Sequence, residues 1–417
     1  MAQHQLKQIS IDELTPGMYV VGVDVPWYRT PFLIHRRLIE DPTTINIMRQ
    51  CGIRTVTIDL EKGKDTTTQE PADPRKPATV MEAAPAQDSP PFCSPLDEAR
   101  SAHELYAAAE EAIDRMFDHL RHGGPSSSLI AKATVTNVMR HLLTDHDDLM
   151  TQLALRKIKR FDQSLAAHSL DTCVLALAVA IECGLDHIAQ LHLGTGALLH
   201  DAGYVRLPRN LVRKRYEDGC TESERMLLRQ HPSLGLTVLA EWSDIPDEVT
   251  SIIRHHHERL NGSGFPNGVS CAALSRLAQI VGIVDWYDGM VSRRGGRPAM
   301  LPNDAICQLF LSAKEGWFDP TLVETTIRVL GIYPIGSLVL LNTGEQAIVT
   351  GLNPQAQLKP KVLIIKGPRG EAYVKPQWVD LATPRQAAHT IVRVLDPTHE
   401  FVNIALYLGD TTREGSP

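Results

Sequence analysis

The sequence predicts a mainly α protein: a helical core, a small α+β module ahead of it and a small β-rich domain behind it. Three observations carry that prediction. From about Asp97 to residue 330, apolar residues recur at three- and four-residue spacing, the period of a helix burying one face. Before residue 62 and after Gly331 the texture turns to short β-branched runs broken by Gly, Asn and Pro. Between the first module and the core lies a stretch with seven prolines and almost no apolar period, which reads as a linker. The chain therefore divides into 1–62 (α+β), 63–96 (linker), 97–330 (helical) and 331–417 (β-rich).

Taken in order, Met18 to Val25 is β-rich, with Gly17 supplying the turn before it. Asp41-Pro42 starts a helix, Gly52 stops it, and Arg54 to Leu60 reads as a strand. Trp27 and Phe32 read as core residues of this module. Leu105, Ala109, Ile113, Met116, Phe117 and Leu120 mark one amphipathic helix, ended by Gly123-Gly124, and Leu129, Val135, Val138, Met139 and Leu142 mark a second. Both are packing helices, with a homodimer contact as their other use. Leu165 to Cys183 is apolar on nearly every face and is expected to be a central buried helix. Thr221 and Glu224 form a capping box that launches the helix leading to His231-Pro232. Short β runs at Ser337–Leu341, Ala347–Val349, Lys361–Lys366 and Ala372–Val374 predict a small barrel or sandwich.

Composition narrows the function. The formal charge of −7 argues against a bulk nucleic-acid or anionic-membrane binder, but leaves room for a small phosphorylated ligand met by a few arginines. Seven cysteines with no C-x-x-C spacing fit free thiols better than a disulfide framework or a zinc ribbon. No stretch approaches the ~20 apolar residues of a bilayer span, and the amino terminus carries no apolar run of signal length, so a cytoplasmic location is expected.

The chemistry-bearing residues are histidines and aspartates. His200-Asp201 ends an apolar helix, where a carboxylate is costly unless paired or bound to a cation. His256-His257 ends another helix and runs into Asn261-Gly262-Ser263-Gly264-Phe265-Pro266, a turn that glycine makes cheaply. His168, His231 and Asp285 sit in apolar helical stretches, and Asp288 shares a face with Asp285. Imidazole and carboxylate without thiolate suit iron, manganese or zinc. The spacing does not assign ligands to individual ions. His255 turns about 100° away from its neighbours. Glu258 does not make a zincin motif, because the residue four after His257 is Asn261.

In their order along residues 150 to 330, these residues resemble the HD-GYP family of metal-dependent phosphohydrolases, whose usual substrate is cyclic di-GMP. Pro16-Gly17-Met18-Tyr19-Val20, Pro26-Trp27 and Thr30-Pro31-Phe32 resemble an uncharacterised module often found ahead of HD-GYP domains. The resemblance implies two divalent transition metals, iron or manganese. It implies that His168, His200, Asp201 and Asp285 hold one, and Asp201, His231, His256 and His257 the other. His200 and Asp201 would also serve catalysis. Arg294 and Arg297 match the family's basic phosphate-binding positions, and Asp288 and Phe265 are placed on the substrate side with them.

Four positions depart from the family pattern. Tyr204 stands where it usually has a catalytic lysine, Asn261 and Phe265 where its signature has Asp and Tyr, and Ser164 where three-metal members have a glutamate. The resemblance implies a phosphodiesterase that linearises cyclic di-GMP, with the Gly-rich loop and N-terminal module open to signalling partners. Its alternatives are a catalytically weak cyclic-dinucleotide receptor and a phosphohydrolase acting on another nucleotide.

Overall fold

The computed structural model describes residues 6–24, 37–39, 42–50, 53–60, 62–64, 101–122, 128–160, 163–214, 220–242, 244–270, 274–293, 298–383 and 389–411. Trp27, Phe32, Arg294, Arg297 and nearly all of the expected linker lie outside them. The chain forms two compact units, Met1–Asp97 and Glu98–Pro417.

In the first unit, strands β1 (Leu6–Ser10), β2 (Tyr19–Val23), β3 (Arg37–Leu38) and β4 (Thr55–Asp59) form an antiparallel sheet in the order β1-β4-β2-β3. Helix α1 (Pro42–Gln50) completes the module. Ile9, Val20, Val56 and Ile58 from the sheet meet Ile45 and Met48 from α1 in one apolar cluster. Gly17 holds φ +95°, a backbone conformation that favours glycine, at the turn into β2. Strand β1 escaped the sequence pattern, since Gln8 and Ser10 dilute its apolar signal.

The second unit begins with α2 (Ala102–His122), α3 (Leu129–Thr144) and α4 (His146–Lys159). Helix α5 (Leu165–Glu182) is capped by Ser164, whose hydroxyl accepts from the Ala167 N–H at 3.0 Å. Among the described residues α5 is the helix long and apolar enough to pass as a membrane span by length and composition, but 83% of it is buried inside this unit. It is the central helix that its all-round apolar surface predicts. Around it stand α6 (His187–Leu199), α7 (Arg209–Arg213), α8 (Glu222–Leu228), α9 (His231–Val238), α10 (Asp247–His255), α11 (Arg276–Val291), α12 (Pro302–Lys314) and α13 (Pro320–Leu330). The Thr221–Glu224 capping box is present at the start of α8.

The β-rich end is a single antiparallel sheet, not two facing sheets. Strands β5 (Leu338–Leu341), β6 (Gln346–Gly351), β7 (Lys361–Lys366), β8 (Ala372–Asp380) and β9 (Ile391–Leu395) run in the order β8-β7-β6-β5-β9. Side-chain alternation gives it two apolar faces. Leu338, Ile348 and Leu363 pack with Leu155 of α4 and with Ile404 and Leu408 of α14 (Ile404–Thr411). Val339, Ala347, Val349 and Val362 form the other face. One face is covered by helices already in the chain, so no second sheet is needed to bury it.

Candidate metal centre

The first turns of α5, one end each of α6, α9 and α10, and the middle of α11 converge. His168 lies in the first turns of α5, and His200 caps the C-terminus of α6 with Asp201 next to it. His231 opens α9, His256 caps α10, and Asp285 projects from the middle of α11. Two glycines permit the approach. A Cβ on Gly203 would sit 1.9 Å from the His231 carbonyl oxygen, and one on Gly282 would sit 2.4 Å from the His256 carbonyl oxygen. Larger residues there would push the histidine-bearing helices apart.

The hydrogen bonds fix the tautomers. The Nδ1–H of His200 donates to the Ala197 carbonyl at 2.7 Å, that of His231 to Leu228 at 2.8 Å, and that of His256 to Ile253 at 2.9 Å. A carbonyl can only accept, so each Nδ1 carries the proton and each Nε2 presents a lone pair. The Nδ1 of His168 donates to the Asp288 carboxylate at 2.7 Å, which has the same effect. These lone pairs point at one another. His168 and His200 Nε2 are 3.2 Å apart, as are His231 and His256 Nε2.

Asp201 lies between the two pairs. Its Oδ1 is 3.2 Å from His231 Nε2 and 3.9 Å from His256 Nε2, while its Oδ2 is 3.5 Å from both His168 and His200 Nε2. That Oδ2 is buried without a hydrogen-bond donor. Asp285 spans a similar gap, with Oδ1 at 3.0 Å from His168 Nε2 and Oδ2 at 3.7 Å from His257 Nδ1. Ligand atoms of Asp201, His231, His256 and His257 lie within 4.8 Å of one another, as do those of His168, His200 and Asp285.

Electrostatics point the same way. Burial pushes the imidazole of His256 down to about 3, helped by the neighbouring His200 and His231, and holds His257 well below its ordinary value. His231 is lowered by burial too, against the pull of Asp201. Burial would raise Asp201, but His200, His231 and His168 outweigh it and hold the carboxylate down to about 2. Neutral imidazoles, ionised carboxylates and facing lone pairs form a buried nest of acceptors, which is costly without a cation. The donor set fits two divalent metal ions, and its nitrogen and oxygen atoms suit a first-row transition metal.

Two of the expected site residues stand in surroundings that the sequence pattern does not foretell. Asp288, placed on the substrate side, has no exposed surface and stands behind His168. Its Oδ2 accepts from that ring and its Oδ1 is paired with Lys157, so neither oxygen faces a substrate. Tyr204, expected at the catalytic rim, is buried with Leu211 and Leu228. Its ring stacks on His231 with centroids 4.2 Å apart at 17°, so its apolar face packs the ligand side chain.

Phe265 remains at the rim, stacked on His257 with centroids 4.4 Å apart at 27°. Asn261 serves the loop. Its Oδ1 accepts from the Ser263 N–H and hydroxyl, and its Nδ2 donates to the Glu315 carbonyl. Glu258 pins the same loop through the N–H groups of Asn267 and Val269. His255 lies off the cluster, near Ser251.

Lys157 is a site residue that sequence reasoning missed. In a helix ending Arg-Lys-Ile-Lys it looks like a solvated cation, yet its ammonium is buried between Asp288, Asp171 and Ser292. Asp171 is held in turn by Arg160 at 3.1 Å and Gln163 at 2.8 Å. Arg229 was also missed; its guanidinium carbon lies 5.4 Å from the Phe265 ring centroid.

Comparison with known proteins agrees with this architecture. Three family models match in succession: "Domain of unknown function (DUF3391)" over residues 6–127, "HD domain" over 137–322 and "KOW domain associated with HD domain" over 338–401. A cyclic di-GMP phosphodiesterase of Pseudomonas aeruginosa, PA4108, is 28% identical over 91% of this chain and 90% of its own length. The cyclic di-GMP phosphodiesterase response regulator RpfG of Xanthomonas campestris is 31% identical over 36% of this chain and 39% of its own. A 3'3'-cGAMP-specific phosphodiesterase of Vibrio cholerae is 26% identical over 39% of this chain and 37% of its own. The histidine–aspartate cluster falls within residues 137–322, so the chain carries its candidate metal centre in an HD domain, set between a DUF3391 module and an HD-associated KOW domain.

Proposed function

We propose that the protein is a metal-dependent phosphodiesterase that hydrolyses cyclic di-GMP to the linear dinucleotide. The observation that carries this reading is Asp201, whose two carboxylate oxygens face two separate imidazole pairs across a buried cluster. Bound divalent ions at such a cluster supply neutralisation of the phosphodiester charge and an activated water at neutral pH. The chain holds those ions through His168, His200, Asp201, His231, His256, His257 and Asp285. Iron or manganese is the metal we assign, on the nitrogen and oxygen ligand set.

The remaining residues orient and shield. Asp288 fixes the tautomer of His168, and the backbone carbonyls of Ala197, Leu228 and Ile253 fix those of His200, His231 and His256. Tyr204 and Phe265 brace His231 and His257 by ring stacking. Tyr204 brings no positive charge to meet charge developing on the phosphate, so turnover should be slow. The relatives' shared substrate class, a cyclic dinucleotide, supports the substrate assignment. We place the reaction in the cytoplasm, with the first unit available to signalling partners.

The test is to incubate metal-loaded protein with cyclic di-GMP, 3'3'-cGAMP and cyclic di-AMP and to resolve the products by chromatography. Cyclic di-GMP should open fastest. Full metal loading and measurable nucleotide binding without turnover of any of the three would instead establish a receptor.

A further inference from the structure

We propose that Arg229 is a specificity-determining residue that binds the second, uncleaved phosphate of the cyclic dinucleotide. This rests on the phosphodiesterase reading above. Arg229 follows α8, two residues before His231, and its side chain is exposed. Its guanidinium carbon lies 5.4 Å from the centroid of Phe265. Phe265 is stacked on His257 and stands edge-on to His231, with centroids 6.2 Å apart at 76°. The guanidinium is therefore one aromatic ring removed from the imidazoles of the metal cluster.

Position and chemistry together select a ligand. A guanidinium resting on a ring keeps its edge N–H donors free, and their fork matches two phosphate oxygens. Two other cations near the cluster are not available in this way. Lys157 is buried behind His168 among Asp171, Asp288 and Ser292. Arg259 is half-buried and engaged by the Phe318 and Trp317 rings, its guanidinium carbon 4.4 Å and 5.8 Å from their centroids. A cyclic dinucleotide carries two phosphodiesters on opposite sides of one macrocycle. When one lies at the metal cluster, the other extends toward the rim, where Phe265 spaces and Arg229 neutralises it. A substrate with a single phosphodiester has nothing to offer Arg229.

The experiment compares full-length, metal-loaded wild type with Arg229→Ala, Arg229→Glu and Arg229→Lys on cyclic di-GMP and on bis(p-nitrophenyl) phosphate, which has one phosphodiester. Metal content is followed by elemental analysis and folding by thermal melting. The ratio of kcat/KM for cyclic di-GMP to that for the single diester should fall about tenfold in Arg229→Ala, mainly through KM. It should fall further in Arg229→Glu and recover only in part in Arg229→Lys, because an ammonium lacks the planar fork. An unchanged ratio in a folded, metal-replete Arg229→Ala overturns the proposal, as does an equal loss on both substrates. A wild type that cleaves the single diester but no cyclic dinucleotide overturns the phosphodiesterase reading itself, and this proposal with it.

Discussion

Removing the carboxylate behind His168 is the most informative single perturbation. Asp288 has no exposed surface, accepts from His168 Nδ1 at 2.7 Å and pairs with Lys157. Breaking one side of a buried ion pair costs about 3–5 kcal/mol. Asp288→Ala should fall near the lower end, about 3 kcal/mol, because Lys157 keeps Asp171 and Ser292, each at 3.3 Å. The second effect falls on metal. Loss of a carboxylate that orients a ligating imidazole weakens affinity about 10–100-fold. Thr172 Oγ1, 3.3 Å from the same nitrogen, offers a weaker substitute, so about tenfold is expected. Urea unfolding measures the first effect, and metal titration against a chelator measures the second. Lys157→Met separates them. In the double variant no charge of that pair is left buried alone, so stability should partly recover, while affinity should stay low because His168 still lacks its orienting group. Wild-type metal affinity in Asp288→Ala, or affinity that returns together with stability in the double variant, would refute the reasoning.

Other outcomes follow from the same geometry. Asp201→Ala should lose both ions by elemental analysis, since its two oxygens face both imidazole pairs; full retention would remove it as the bridge. Tyr204→Lys should lower the melting temperature and metal content instead of raising turnover, because it places an ammonium where a buried ring stacks on His231. Gly282→Ala should destabilise by about 1–3 kcal/mol and weaken metal binding, because its Cβ would meet the His256 carbonyl oxygen. Burial would raise Asp244, but Lys132 and Ser128 outweigh that and lower its pKa. A depressed folded-state value contributes stability above the unfolded carboxylate pKa of ~3.9, which is lost as pH falls through the folded value. The stability gap between wild type and Asp244→Asn should therefore narrow below about pH 4 in acid titrations followed by circular dichroism.

By itself the sequence determined several of the core helices and the reactive residue types. Helical periodicity marked α2, α3 and α5, and the capping box at Thr221 marked α8, because both signals are local and depend on near neighbours only. The histidines and aspartates stood out for the same reason: an ionisable group in an apolar helix is costly wherever that helix packs. Tertiary structure alone decided which atoms meet. Residues 168 and 285 lie far apart in the chain, yet the His168 Nε2–Asp285 Oδ1 distance is 3.0 Å only because α5 and α11 pack together. Asp288 and Lys157 show the same limit from the other side. An aspartate three residues after Asp285 and a lysine in a basic helix end carry no local sign of burial, and only packing turns them from surface charges into the support of His168. Tyr204 was legible as a departure from the family pattern, but its meaning was not. Whether a phenol faces substrate or stacks on an imidazole depends on the rotation of the turn after Asp201, which the close approach of Gly203 to His231 sets.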